Sequence, residues 1–394
     1  MMRTDTPYKK TLKKATWRTY LLVLLFDLLA LAANQLAIHS STFADAYSHY
    51  VYRVLSLGIG SVMGLLPFSV VELLLYATIL FVLFDFVKQL RRAVRAGIAH
   101  PLLRFLGHLF LILSSLLVLY VFLCGINYHR TSFSEEAGLS VTIDAHGTVY
   151  DEADLIALCD YLVTEINDTE AQLDVPCIGQ TSETPKPSAV WLWHAGRTGQ
   201  RAMEKLGQRY RRLSGHYPYP KPILNTWILS VQQTTGVYSP FTVEANYNRD
   251  IAYYDIPFTI CHELSHLRGY MQEEEANFIG VLATIGADDL YFNYSGYVSA
   301  WVYAGNALAR IDSTAFATLY SRINARTRQD MLYNNAYWKQ FEGKPAEAHE
   351  QLNDAYLKMQ GQATGVRSYG HVTDLMLEYF AKNGTLTQSQ GLKN

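Results

Sequence analysis

Residues 259–280 read TICHELSHLRGYMQEEEANFIG, and this stretch decides how the second half of the chain is read. Within it, His262-Glu263-Leu264-Ser265-His266 sets two histidines four residues apart. On a helix that spacing stacks both imidazoles on one face, one turn apart. A tetrahedral zinc site built for hydrolysis takes three protein ligands and leaves one position for water. Glu263 projects beside the pair, where a carboxylate can take a proton from that water. Gly269 suits the position after a helix end, where φ > 0 is needed. A second helix starting near Met271 then folds back on the first. The third ligand must come from elsewhere, and this brings Glu273, in the first turn of that helix, close to the imidazoles. Asn277, one turn further, can accept a hydrogen bond from a ligand imidazole N–H. The plainer alternative is a surface helix with two histidines followed by a solvated acidic cap, since glutamates in a first turn favour the helix dipole without a metal. For Glu274 and Glu275 taken singly, that is the better account.

The Glu-x-x-x-Asn element at Glu273 and Asn277 resembles the Glu-x-x-x-Asp/Asn element of gluzincin peptidases. The resemblance implies that Glu273 binds Zn2+ and that Asn277 orients a histidine. Two departures stand out. The gap from His266 to Glu273 is much shorter than in thermolysin-like enzymes, and Asn277 offers a neutral partner where Asp is commoner. Three stretches together resemble the bacterial membrane-protein family called domain of unknown function 3810: HELSHLRGYMQEEEANFIG, GVYSPFTVEANYN upstream and GVRSYGHVTDL downstream. This second resemblance implies a fold and topology rather than a substrate.

Working outward, 49% of the 394 residues are hydrophobic and only 17% charged, which points to a membrane part joined to a soluble part. A net charge of −2 argues against a nucleic-acid partner, which calls for a basic face. Arg3, Lys9, Lys10, Lys13, Lys14 and Arg18 precede an apolar run long enough to cross a bilayer. That run is read as an anchor; a signal peptide ending near Ala30-Leu31-Ala32 is the alternative. Spans are expected at residues 19–38, 67–87 and 105–126. The apolar stretch 54–66 is too short to cross and is expected to lie at the interface or re-enter. Lys88, Arg91, Arg92, Arg95 and Arg104 make the loop after the second span basic. The positive-inside rule therefore sets the N-terminus and that loop in the cytoplasm, and everything after Asn127 outside.

The expected architecture is an α-helical membrane region over residues 1–126, followed by a zincin-like, mostly α extracytoplasmic domain with a small sheet over 127–394. Helices are expected at 151–173, 196–213, 291–311, 345–359 and 368–382, and strands at 223–231 and 236–247. Gly236 to Phe241 is a candidate sheet edge for a substrate strand, or a plain edge hairpin. Cys159 and Cys177 are either a disulfide or two buried thiols. By resemblance to gluzincins, Tyr369 or His371 would stabilise the oxyanion; a capping turn with Ser368 as N-cap is the alternative.

The function expected is a membrane-anchored zinc metallopeptidase. It would act on peptide or protein substrates at the outer face of the cytoplasmic membrane, with the lipid bilayer as its other partner. A catalytically silent zinc-binding sensor or scaffold is the alternative. An intramembrane protease fits less well, because Tyr253, Asp255, Arg268 and Glu273 flank the motif.

Overall fold

In the computed structural model, described over residues 7–139, 150–174, 178–360 and 371–387, the three long apolar runs become three long helices. These are α1 (Pro7–His39), α4 (Val70–Ala96) and α5 (His100–Leu123). Among the described residues they are the helices long and apolar enough to cross a membrane. Short α2 (Ser41–Ala46), a π-helical segment Tyr47–Tyr52 and α3 (Arg53–Gly64) lie between α1 and α4. The chain divides into two compact units, and α3 falls in the second.

The first unit comprises Met1–Tyr52, Val70–Arg130 and Pro240–Thr242. Polar side chains link its helices. The Tyr20 hydroxyl donates to the Leu103 carbonyl at 2.8 Å, tying α1 to α5. Asp85 on α4 meets His108 Nδ1 on α5 at 2.8 Å and accepts from Gln89 Nε2, also at 2.8 Å. In a bilayer, where apolar surface gives helices no net drive to associate, contacts of this kind would add to close packing.

The second unit comprises Arg53–Ser69, Thr131–Ser239 and Val243–Asn394. Here α6 (Phe133–Glu136), α7 (Glu152–Gln172) and α8 (Ala189–Arg209) precede a three-stranded sheet, into which short α9 (Trp227–Ser230) is inserted. The strands are β1 (Lys221–Pro222), β2 (Gly236–Ser239) and β3 (Glu244–Tyr247), ordered β1-β3-β2. β1 runs parallel to β3, and β2 pairs antiparallel with it, Val237 opposite Asn246. Then come α10 (Asp255–His266), α11 (Glu273–Ile285), α12 (Leu290–Ile311), α13 (Ser313–Arg322), α14 (Ala325–Lys339), α15 (Lys344–Met359) and α16 (His371–Asn383).

Helix α10 is the centre of this unit. Its residues from Ile256 to His266 are buried apart from His262, and it packs against α8, α11, α12 and both long strands. A helix enclosed on every side offers its polar groups no water, so each needs a partner or a purpose.

Several expectations are corrected. The strand at 223–231 is absent: the chain turns after β1 and forms α9. Thr226 Oγ1 binds the Asp250 carboxylate, and the Ser230 hydroxyl donates to the Thr226 carbonyl at 3.0 Å. The bond to Asp250, 24 residues on, and the local bond to Thr226 together outweigh the apolar run. Helix α8 starts at Ala189, seven residues earlier than expected, because the Ser188 hydroxyl caps it by accepting from Trp191 N. α13 and α14 were not foreseen; Asp312 caps α13, while the side chain of Asn324 makes no capping bond at the start of α14. The helices expected at 151–173, 291–311 and 345–359 are α7, α12 and α15. Cys159 is a free, buried thiol that burial pushes up to about 12; Cys177 lies outside the described residues.

Candidate metal centre

Three of the expected residues converge. His262 Nε2 lies 3.4 Å from Glu273 Oε2, and His266 Nε2 lies 3.8 Å from Glu273 Oε1. The two imidazole Nε2 atoms are 3.2 Å apart, their rings almost perpendicular at 89°. Ligands held at about 2.0–2.2 Å in a tetrahedral site stand about 3.3–3.6 Å from one another. The two histidines approach different oxygens of Glu273, and one donor atom from each residue lies within 4.8 Å of the other two, so the three residues could hold a small cation. Among the described residues this is the only such group of histidine, cysteine and carboxylate atoms.

The backbone explains the convergence. α10 ends at His266, and Gly269, with φ 82°, reverses the chain; its N–H reaches the His266 carbonyl at 2.9 Å. A Cβ at that φ would be strained. The reversal also turns the Tyr270 carbonyl towards His266 Nδ1, 2.7 Å away. His266 therefore carries its proton on Nδ1 and presents the Nε2 lone pair to the cluster. Sequence reasoning missed this orienting group because it is a main-chain oxygen; the one available signal was the glycine.

His262 is oriented less firmly. Its Nδ1 and the Asn277 amide nitrogen are both buried without a hydrogen-bond partner. Asn277 nevertheless lies close enough to bear on the His262 proton. Exchanging the amide oxygen and nitrogen would let Oδ1 accept from Nδ1, the role expected from the sequence.

The cluster's electrostatics follow from burial. Burial works against a charge on His262, but the hydrogen bond and charge of Glu273, with Glu263 adding, raise it to about 9. Burial and the neighbouring His262 push His266 down to about 4. Burial opposes charge on Glu273 too, yet His262 and then His266 hold its carboxyl below the usual range. A cation bound by these groups would take the place of the His262 proton, so binding would release it.

Glu263 stands beside the ligands, 4% exposed, and one of its oxygens, Oε2, has no partner. Burial pushes its carboxyl up to about 8, against the pull of His262 and the Tyr238 N–H, with Glu273 adding to the rise. That N–H comes from β2. The Thr235 carbonyl accepts from Asn248 N at 2.7 Å, so residues 235, 237 and 239 face β3 while 236 and 238 turn to the free edge. β2 can lie this close because residue 236 is glycine: a Cβ there would sit 2.6 Å from Glu263 Oε1. The candidate sheet edge is thus a true edge, and it also fixes the candidate base.

The other acidic residues separate. Glu275, expected at the surface, is buried and accepts from Ser134 N at 2.9 Å and from the Ser134 hydroxyl, pinning α6 to α11. His371 opens α16, with its Nδ1 3.7 Å from Asp374 Oδ2, and does not belong to the His262–His266–Glu273 group. Tyr369 and Ser368 lie outside the described residues.

No curated protein and no solved structure matches the chain. The family model described as "Protein of unknown function (DUF3810)" matches residues 47–377, which takes in α3, the sheet and the whole of the cluster. The chain belongs to that family.

Proposed function

We propose that this chain is a zinc metallopeptidase of zincin-like fold, anchored by α1, α4 and α5, with its second unit at the outer face of the cytoplasmic membrane. The observation that carries this reading is the convergence of His262, His266 and Glu273 next to a buried Glu263 with one unpartnered oxygen. Two imidazoles, once the His262 proton is displaced, and one carboxylate suit zinc in composition.

His262, His266 and Glu273 would hold the ion. When bound, zinc polarises a substrate carbonyl and acidifies a water at its open position. The chain's own residues do the rest. Glu263 takes the proton of the attacking water and returns it to the leaving amine. Gly236 and the Tyr238 N–H hold Glu263 in place, and the Tyr270 carbonyl keeps His266 in one tautomer. The placement outside the membrane rests on the basic residues before α1 and between α4 and α5, under the positive-inside rule.

The test is Glu263→Gln in cells. Zinc content should be unchanged, and protein N-termini in membrane and secreted fractions should lose a set present with wild type. If the two sets are identical while zinc stays bound, the peptidase reading fails and a zinc-binding membrane sensor or scaffold takes its place.

A further inference from the structure

α3 is built inside out for a helix in water. Its inward line is small and polar. Ser56 and Gly60 are buried, and a Cβ on Gly60 would sit 2.6 Å from Pro218 Cγ. Arg53 donates to the Ser214 carbonyl at 2.9 Å, and Lys221 Nζ donates to the Met63 carbonyl at 2.7 Å. Its outward line is uncharged and mostly apolar: Val54 is 67% exposed and Val62 61%, with Leu55, Gly58 and Ser61 beside them, and Leu65, just past the helix end, is 82% exposed. No Asp, Glu, Lys or Arg occurs between Arg53 and Glu72. A helix facing water puts its polar residues on that side. At 12 residues, or about 18 Å, α3 is too short to cross a bilayer of about 30 Å.

Chain continuity says what covers this face. Only residues 65–69 separate α3 from α4, an apolar helix of membrane-crossing length, and α1 ends shortly before it. A second observation agrees. Tyr219, whose backbone nitrogen would lie 3.6 Å from a Cβ on Gly64, is one of two rings under the Arg197 guanidinium, 5.9 Å from it. The other is Trp193, 5.7 Å away and 54% exposed. An exposed tryptophan paired with an arginine is the chemistry of a headgroup layer.

We infer that α3 lies in the outer leaflet with its apolar face in lipid, and that the metal centre above it acts on chains held at that surface. The substrate clause rests on the peptidase reading. α3 packs on β3, and β3 packs on α10. At about 10 Å per packing layer, the site stands within roughly 20 Å of the lipid. Extended chain advances about 3.3 Å per residue, so the bond cut lies within roughly six residues of where its substrate leaves the membrane. The substrates are the juxtamembrane segments of membrane-anchored polypeptides.

The experiment uses the full chain in nanodiscs of phosphatidylethanolamine and phosphatidylglycerol carrying a diazirine on the acyl chain. Adducts are mapped by mass spectrometry after illumination. The expected result is acyl adducts within residues 54–66 as well as on α1, α4 and α5. Adducts on the three long helices alone overturn the inference, including the case where 54–66 is shielded from hydroxyl radicals by a second copy or another protein. In the Glu263→Gln comparison, the lost termini should map to chains with a span or lipid anchor, close to that anchor. Termini on freely soluble proteins overturn the substrate clause. Absence of any Glu263-dependent terminus, with adducts on 54–66, sinks the peptidase reading and leaves the lipid seat standing.

Discussion

Gly236→Ala adds one methyl group where β2 passes α10. The new Cβ would lie 2.6 Å from Glu263 Oε1, and 2.8 Å from both Glu263 Cγ and Thr259 Cγ2. Ordinary contact begins near 3.4 Å, so the carboxylate or the strand must yield by 0.8 Å at the oxygen. The Tyr238 N–H that holds Glu263 moves with the strand. A misplacement of about 1 Å at a catalytic group can cost on the order of a hundredfold in rate, and overpacking costs about 1–3 kcal/mol of stability. His262, His266 and Glu273 are untouched. The variant should therefore keep its zinc, measured by elemental analysis per chain, and unfold at a modestly lower temperature. Its Glu263-dependent N-termini should fall by about tenfold to a hundredfold. Full cleavage with zinc retained would refute the claim that β2 positions Glu263. Loss of zinc would show that the strain reaches the ligands instead.

Asn277→Ala should weaken zinc binding by about tenfold to a hundredfold through loss of the side chain that orients His262, and Asn277→Asp should strengthen it; competition with a chelating dye reads both. Equal affinity in all three proteins would remove Asn277 from the site. Lys221 and Glu244 form an ion pair with side chains 1% and 2% exposed. Lys221→Met should cost about 3–5 kcal/mol by removing the counter-ion of a buried carboxylate, and Lys221→Met with Glu244→Leu should recover most of it in thermal unfolding; an equally unstable double variant would refute the lost-counter-ion account. Burial pushes Asp330 up to about 6 from 3.8, although Gln180 N–H, Tyr294 hydroxyl and Arg326 pull the other way. Between about pH 4 and 6 the folded chain then keeps a proton that the unfolded chain has lost, so this group's contribution to stability falls as pH rises through that window. The loss amounts to up to about 3 kcal/mol at about 1.4 kcal/mol per pH unit. The stability gap between wild type and Asp330→Asn should shrink by that amount from pH 4 to 7, and a gap independent of pH would show an unshifted carboxyl.

The sequence by itself determined whatever depends on spacing along one element. The histidines at 262 and 266 share a helix face because a helix repeats every 3.6 residues. The reversal at Gly269 follows from one residue's freedom in φ. The three long helices follow from apolar length alone. The failures came where a residue's fate is set by groups remote in the chain. The run at 223–231 has the composition of a strand, but Asp250 and β3 draw it into a turn and a short helix. Glu275 looked like a surface cap until Ser134, far upstream, was brought against it. The Tyr270 carbonyl behind His266 is supplied by the turn itself, and Gly269 is its one trace in residue type. Only the tertiary structure put β2 against Glu263, which requires a bare backbone at Gly236. And it turned Ser56 and Gly60 of α3 inward, leaving Val54 and Val62 outside. Hydropathy along a chain counts apolar residues but does not say which solvent they meet; packing against Pro218 and Lys221 decided that here.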